Sequence, residues 1–296
     1  SLDAIFKAYD VRGTVPDQLD PELAHAIGVG FATFAREESE GRGESVTRVL
    51  MARDMRPSGV ELSAAFADGV RSQGLDVVDL GLGSTDLLYF ASGSMGAPGV
   101  MFTASHNPAQ YNGAKFCLSG ARPVGEDTGL GRIREVGEAS LAGSVPPAAT
   151  TGSISSLDVL GAFADHVRSF VDVSSLAPLR IVADTANGMG GLIVPAVFSS
   201  LPFQLEIMYG ELDGTFPNHP ADPIQPANTE DLRRRVVEAG ADVGLAFDGD
   251  ADRVFLVDDQ GELVSGSLTT AIVAKVMLEK NPGATILHNL ICSKAV

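Results

Sequence analysis

The chain has 296 residues, 45% of them hydrophobic and 20% charged, a soluble globular composition with room for about two domains. Its net charge of −17, with no basic stripe, argues against a nucleic-acid partner and requires any anionic substrate to be held by a few local cations or a metal ion. No run reaches the ~18 apolar residues of a membrane span and Ser-Leu-Asp at the start lacks a signal pattern, so a cytoplasmic chain without membrane contact is expected.

Short β-branched runs alternate with helical periods almost throughout, which predicts an α/β fold. Near the start, Phe6-Lys7-Ala8-Tyr9-Asp10-Val11-Arg12-Gly13-Thr14 sets an Arg before a Gly. That setting suits a phosphate clamp, although alone it reads more readily as a surface Arg. Leu23, Ile27, Phe31 and Phe34 predict a helix over 21–38. A Gly/Glu-rich loop at 37–44, a strand over 48–52, a helix over 58–74, a strand over 76–80 and a turn at 81–84 follow.

The apolar run Gly99-Val100-Met101-Phe102 predicts a buried strand that spills into Thr103-Ala104-Ser105-His106-Asn107-Pro108. Ser105 stands there among turn formers, with His106 beside it and Lys115 in the following Tyr111-Asn112-Gly113-Ala114-Lys115. A hydroxyl exposed on a rigid strand-to-loop junction suits a covalent nucleophile or phosphate carrier. Cys117 and Cys292 lie in strand-like apolar runs with neither disulfide nor metal-site spacing. Both are expected to be core residues of a reducing compartment.

The turn formers of 143–152 mark a boundary near residue 152, giving a first unit over 1–152. A second unit, 153–261, opens with a helix over 157–171 and a strand over 179–183. Asp184-Thr185-Ala186-Asn187-Gly188-Met189-Gly190-Gly191 then leads into an apolar helix. The Pro-punctuated loop 210–228 is, at this length, either functional or disordered, and its Phe216, Asn218, His219 and Asp222 favour function. A helix over 229–239 and a strand over 243–247 deliver the chain to Asp248. After a hairpin at 258–261, a helix over 267–279 and a strand over 285–290 begin a third unit, 262–296. At about 35 residues it is too short for a domain, so the chain reads as truncated. His25 and His166 fall on helical patterns and are expected to pack or face solvent.

Asp248-Gly249-Asp250-Ala251-Asp252-Arg253 places three carboxylates at alternate positions in a tight loop, where they can converge on one hard divalent cation. An EF-hand loop opens the same way, but it needs Gly at the sixth position and Glu at the twelfth. Arg253 and Asp259 stand there, and a strand precedes the loop. Without a cation the three carboxylates would repel one another. Three protein oxygens leave open positions, which Mg²⁺ typically fills with water and phosphate. The missing ligand is then a phosphate oxygen, and Ser105 is the candidate to carry it. Of the local cations, His106 either orients the loop or transfers a proton. Lys115, as a general acid/base, would need a lowered pKa, which nearby cations and burial can supply.

Together, Thr103-Ala104-Ser105-His106-Asn107-Pro108 with Lys115, the Asp248–Arg253 run, Tyr9-Asp10-Val11-Arg12-Gly13 and Phe216-Pro217-Asn218-His219-Pro220 resemble the α-D-phosphohexomutases, in their bacterial phosphomannomutase/phosphoglucomutase branch. The resemblance implies tandem α/β domains with mixed sheets flanked by helices, the first two of four and the start of the third. It implies interconversion of hexose 1-phosphate and hexose 6-phosphate, with mannose or glucose phosphate as substrate. A phosphoserine at Ser105 would donate its phosphoryl group, and a hexose 1,6-bisphosphate would serve as intermediate and activator. One Mg²⁺ would be held by Ser105, Asp248, Asp250 and Asp252. Lys115 would transfer protons, and Arg12 and Arg253 would hold the moving phosphate beside His106. A monomer or weak dimer is expected. Ser84-Thr85-Asp86 departs from the family's usual Pro-Thr-Pro, and its sugar-recognition and distal-phosphate loops would lie beyond Val296.

A second reading is a non-catalytic phosphosugar- or metal-binding module. A dinucleotide-binding oxidoreductase is disfavoured, because Gly188-Met189-Gly190-Gly191 lacks the G-x-G-x-x-G spacing.

Overall fold

The computed structural model describes residues 2–296. In chain order the first unit comprises β1 (Val11–Thr14), α1 (Pro21–Glu40), β2 (Arg48–Arg53), α2 (Gly59–Ser72), β3 (Asp76–Leu82), α3 (Thr85–Met95), β4 (Gly99–Phe102), β5 (Tyr111–Leu118), β6 (Arg122–Pro123), α4 (Leu130–Leu141) and β7 (Ile154–Ser156). The strands form one mixed sheet in the order β1-β5-β4-β2-β3-β7, with β6 on β5. Its centre, β4-β2-β3, is parallel, and β5 runs antiparallel to β4. The division expected at residue 152 precedes β7, which pairs parallel with β3 in the first sheet.

The second unit holds α5 (Leu160–Arg168), β8 (Arg180–Asp184), α6 (Gly190–Phe198), β9 (Gln204–Met208), α7 (Glu230–Ala239), β10 (Val243–Phe247), β11 (Val254–Val257) and β12 (Leu263–Val264). Its sheet runs β12-β11-β10-β8-β9, parallel through β10-β8-β9.

Central strands carry unbroken apolar runs because both faces of the sheet are covered. All four residues of β4 are buried. On one face, α1 and α2 supply Phe31 and Phe66, which pack on Phe102 and Phe116 of the sheet with ring centroids 4.9–6.2 Å apart. Burying each ring contributes about 1.5–3 kcal/mol. Helices α1 and α2 approach closely because Gly28 faces the Phe66 carbonyl and Gly69 the His25 carbonyl, leaving no room for a side chain at either. Asp20 caps α1 through a 2.8 Å bond from the Leu23 amide, and Pro21 follows at the first helical position.

On the opposite face Leu50, Leu87, Leu88, Met101 and Cys117 form a core continued by Phe163 of α5 and by Ile193 and Val197 of α6. The two units therefore share one hydrophobic layer. A third cluster sets Leu232 and Val236 of α7 against Val182, Ala246 and Val257.

Beyond the second sheet, α8 (Gly266–Lys280) buries no side chain. The strand expected over 285–290 does not form. No described strand pairs with it, and a strand without partners leaves its backbone groups unsatisfied. Cys117 is buried as expected, whereas Cys292 lies half-exposed outside any core. His25 is half-buried on α1, and the His166 ring packs between Phe90 and Phe170. No helix among the described residues is long and apolar enough to cross a membrane.

Candidate active site

Strand β4 ends at Phe102, and Ser105 follows in the left-handed region with φ 52°. A non-glycine residue rarely adopts this conformation, and such outliers cluster at functional sites. The Ser105 amide donates to Thr103 Oγ1 at 2.8 Å, turning the chain back on itself. The hydroxyl is not exposed as expected. Ser105 is only 3% accessible because the Asp248 loop of the second unit closes over it. Its Oγ donates to Asp248 Oδ2 at 2.8 Å and accepts from Arg253 Nη2.

The metal-type loop begins where β10 ends. The Arg253 amide donates to Asp248 Oδ1 at 3.1 Å and the Asp248 amide to the Arg253 carbonyl at 3.3 Å, closing the loop on itself. Carboxylate oxygens of Asp248, Asp250 and Asp252 lie within 4.8 Å of one another. Asp250 Oδ2 accepts from Thr85 Oγ1 at 2.6 Å and from Lys115 Nζ at 2.7 Å. Its other oxygen, Oδ1, is buried and has no hydrogen-bond partner. An unpartnered buried carboxylate oxygen is costly, and a hard divalent cation is the partner this all-oxygen donor set fits.

The cations gather on the same side. Lys115 reaches from β5 to both Asp250 and Asp252 at 2.7 Å. Arg253 pairs with Asp248 and donates to His106 Nδ1 at 2.7 Å. Arg12, on β1 beside β5, donates to Asn107 Oδ1 at 2.6 Å and pairs with Asp10. Arg12 Nε is the other buried side-chain polar atom without a partner among the described residues. The structure thus brings Ser105, His106, Arg12, Lys115, Arg253 and the three aspartates to one seam between the two sheets.

Burial, reinforced by the charges of Asp250 and Asp252, pushes the Asp248 carboxyl up to about 7. Burial also works against ionised Asp250, but Lys115 outweighs it and holds that carboxyl down to about 2. Lys115 shows the reverse of the lowering expected for it. Burial lowers its pKa, but Asp250 and Asp252, not cations, are its neighbours and raise it. Burial, then the Arg253 charge, lowers the pKa of His106, in keeping with a neutral ring that accepts at Nδ1.

Sequence reasoning missed three supporting groups. Arg56, fully buried, donates to the carbonyls of Ser105, Asn107, Pro108 and Tyr111 at 2.7–3.0 Å. Thr85, at the start of α3, aims Asp250, and its amide also donates to the Asp250 carbonyl at 3.2 Å. Asp86 beside it is pushed up to about 6 by burial and by Asp252 and Asp250. The Asp184–Gly191 turn supports the metal-type loop. The Met189 amide donates to the Gly249 carbonyl at 2.8 Å, and a side chain at Gly188 would meet that oxygen at 2.7 Å. His219, from the long loop, bonds Asp184 Oδ2 through Nε2 at 3.0 Å.

The family model "Phosphoglucomutase/phosphomannomutase, alpha/beta/alpha domain I" matches residues 3–137, and that for domain II matches residues 161–261. A phosphomannomutase of Salmonella montevideo is 36% identical over 292 residues, covering 96% of this chain and 61% of the relative. A phosphohexose mutase of Xanthomonas campestris is 39% identical over 285 residues, with the same coverage of 96% and 61%. The crystal structure of a phosphoglucomutase/phosphomannomutase family protein from Burkholderia thailandensis has a TM-score of 0.81 at 33% identity, covering 95% of this chain and 60% of that one. The chain spans about three fifths of the length of these relatives.

Proposed function

Because the chain belongs to the phosphoglucomutase/phosphomannomutase family, as its first two α/β domains, we propose that it carries the phosphoryl-transfer half of a phosphohexomutase. The reaction would interconvert hexose 1-phosphate and hexose 6-phosphate, with Ser105 as the phosphoryl carrier and a hexose 1,6-bisphosphate as intermediate. One observation carries this reading. Among the described residues, the two buried side-chain polar atoms without partners, Asp250 Oδ1 and Arg12 Nε, belong to the two groups that flank the Ser105 loop. One wants a cation and the other an anion, and a phosphorylated Ser105 beside a divalent cation answers both.

Asp248, Asp250 and Asp252 would hold Mg²⁺, and the family resemblance makes the Ser105 phosphate its fourth ligand. When bound, such an ion neutralises charge on a transferring phosphoryl group. The chain's own residues do the rest. In the forward half-reaction the P–Oγ bond of phospho-Ser105 breaks, a bond forms from phosphorus to a sugar hydroxyl oxygen, and the proton that hydroxyl gives up ends on the freed Oγ. In the return half-reaction the P–O bond to the sugar breaks as Oγ takes the phosphoryl group, and the Ser105 hydroxyl proton ends on the freed sugar oxygen. Arg253 donates directly to Oγ and so sits where charge develops when P–Oγ breaks. Lys115, held charged between Asp250 and Asp252, would relay the proton by donating to the freed oxygen and regaining a proton from the attacking hydroxyl. His106, accepting from Arg253, holds that guanidinium in place. A cytoplasmic monomer or weak dimer, with no nucleic-acid or membrane partner, completes the proposal.

Intact-mass spectrometry tests it. Incubation with glucose 1,6-bisphosphate and Mg²⁺ should add one phosphate to the chain, and neither Ser105→Ala nor chelated wild type should gain it. A chain that stays unmodified would favour the binding module, and one modified equally in Ser105→Ala would overturn Ser105 as the carrier.

A further inference from the structure

Arg56 makes contacts that its surroundings do not require of a core residue. Its guanidinium is fully buried, paired at 3.2 Å with the equally buried Asp54, whose Oδ1 also accepts the Arg56 amide at 3.0 Å. The remaining donors all point at one short segment. Nη1 reaches the carbonyls of Pro108 and Tyr111 at 2.8 and 3.0 Å, and Nη2 reaches those of Ser105 and Asn107 at 3.0 and 2.7 Å. One planar fork thus fixes the backbone of residues 105–111, including the carbonyl of the strained residue Ser105. Lys cannot reproduce this, having a single point charge in place of a rigid fork.

The other side of Arg56 is occupied by the second unit. The Phe216 ring lies 5.0 Å from the guanidinium carbon, within cation–π range. Phe216 is itself held in the left-handed region, at φ 53°. The backbone around it is pressed close: a side chain at Gly214 would meet Arg56 Cα at 2.6 Å. Loop 210–228 and the Ser105 loop therefore grip the same guanidinium from two sides.

We propose that Arg56 is a positioning residue for the Ser105 loop, and that Phe216 couples that position to the second unit. This rests on the reading of Ser105 as phosphoryl carrier for its rate consequence, and on geometry alone for the loop. Arg56 touches no reacting atom. It acts by fixing the Ser105 backbone, and so the direction of Oγ toward Asp248 and Arg253. Misplacing a reacting group by about 1 Å can cost roughly 100-fold in rate.

Hydrogen exchange and phosphoryl uptake, measured on Arg56→Lys and Phe216→Leu beside wild type, separate the possibilities. Arg56→Lys should raise amide exchange within 105–111, slow uptake of phosphate from glucose 1,6-bisphosphate by about 10- to 100-fold, and leave Mn²⁺ affinity at the aspartates unchanged. Phe216→Leu keeps all four Arg56 bonds and should loosen the same segment less. A folded Arg56→Lys with wild-type exchange in 105–111 overturns the positioning role. Wild-type exchange there in Phe216→Leu overturns the coupling, and it decides the matter alone if Arg56→Lys does not fold. Should wild type take up no phosphate while the exchange results hold, the functional reading fails and the positioning role stands.

Discussion

The hydroxyl of Thr85 donates to Asp250 Oδ2 at 2.6 Å and leaves Oδ1 bare. Ser84 caps α3 through a 3.1 Å bond from the Leu87 amide, so Thr85 sits at the positive end of a helix pointing at a carboxylate. The side chain thus settles which Asp250 oxygen is free for a cation. Outer partners of this kind typically matter 10- to 100-fold for metal affinity. Thr85→Val, which removes the hydroxyl at nearly constant shape, should weaken Mg²⁺ binding by roughly 10- to 100-fold in calorimetry. Thr85→Ser should restore most of it. Equal affinities for Val and Ser would mean that the hydroxyl does not aim the carboxylate.

Two loops meet at the level of elements, one following β4 and one following β10, and at Gly249 they leave no room for a side chain. A Cβ there would run into the Ser105 carbonyl oxygen and lie 3.6 Å from the Ala221 side chain. Gly249→Ala should therefore lower stability by about 1–3 kcal/mol, the usual cost of overpacking, and slow phosphate uptake at Ser105. Gly131→Ala, on α4 with open space around its Cβ, should instead be neutral or stabilising by up to about 1 kcal/mol. Thermal unfolding of the pair is the measurement, and indistinguishable melting of Gly249→Ala and wild type would refute the close approach.

What could be read in advance follows the same division. Strands β2, β4 and β8 announce themselves because burial on both faces leaves continuous apolar runs, and β10 keeps such a run although alternate residues are half-exposed. Asp248, Asp250 and Asp252 were legible because all three donors come from one hexapeptide. Strands β1 and β5 were not, since Arg12 and Tyr111-Asn112-Gly113 interrupt the apolar pattern where the sheet edge lines the site. Arg56 left no periodic trace, for its partners are carbonyls some fifty positions away. The burial of Ser105 was hidden for the same reason: it depends on a residue of the other unit, 143 positions along the chain.

For the molecule as a whole, the two sheets share a hydrophobic layer, and the long loop 210–228 that reaches the first unit is anchored on its own sheet by a polar contact that responds to pH. This contact lies outside the aspartate cluster. His219 Nε2 bonds the buried Asp184 at 3.0 Å, its Nδ1 lies 2.9 Å from the Pro220 carbonyl, and its ring meets Tyr209 edge-on at 5.3 Å. Burial opposes protonation of His219, but the hydrogen bond and charge of Asp184 outweigh it and raise the pKa above the ordinary 6.5. A proton is then bound more tightly in the folded than in the unfolded chain, so folding is favoured when His219 is charged. That contribution is fully present below pH 6.5, the unfolded value, and is lost as pH rises through the higher folded value. Other groups titrate in the same range, so the difference between wild type and His219→Gln isolates it. In denaturant unfolding from pH 5.5 to 9, the advantage of wild type should be largest at the acid end and shrink steadily above pH 6.5. Asp184→Asn should abolish the same slope, because it removes the charge that holds the proton. A wild-type advantage that stays flat across this range, or grows with pH, would mean that His219 is neutral in the folded chain and that loop 210–228 is anchored by packing alone.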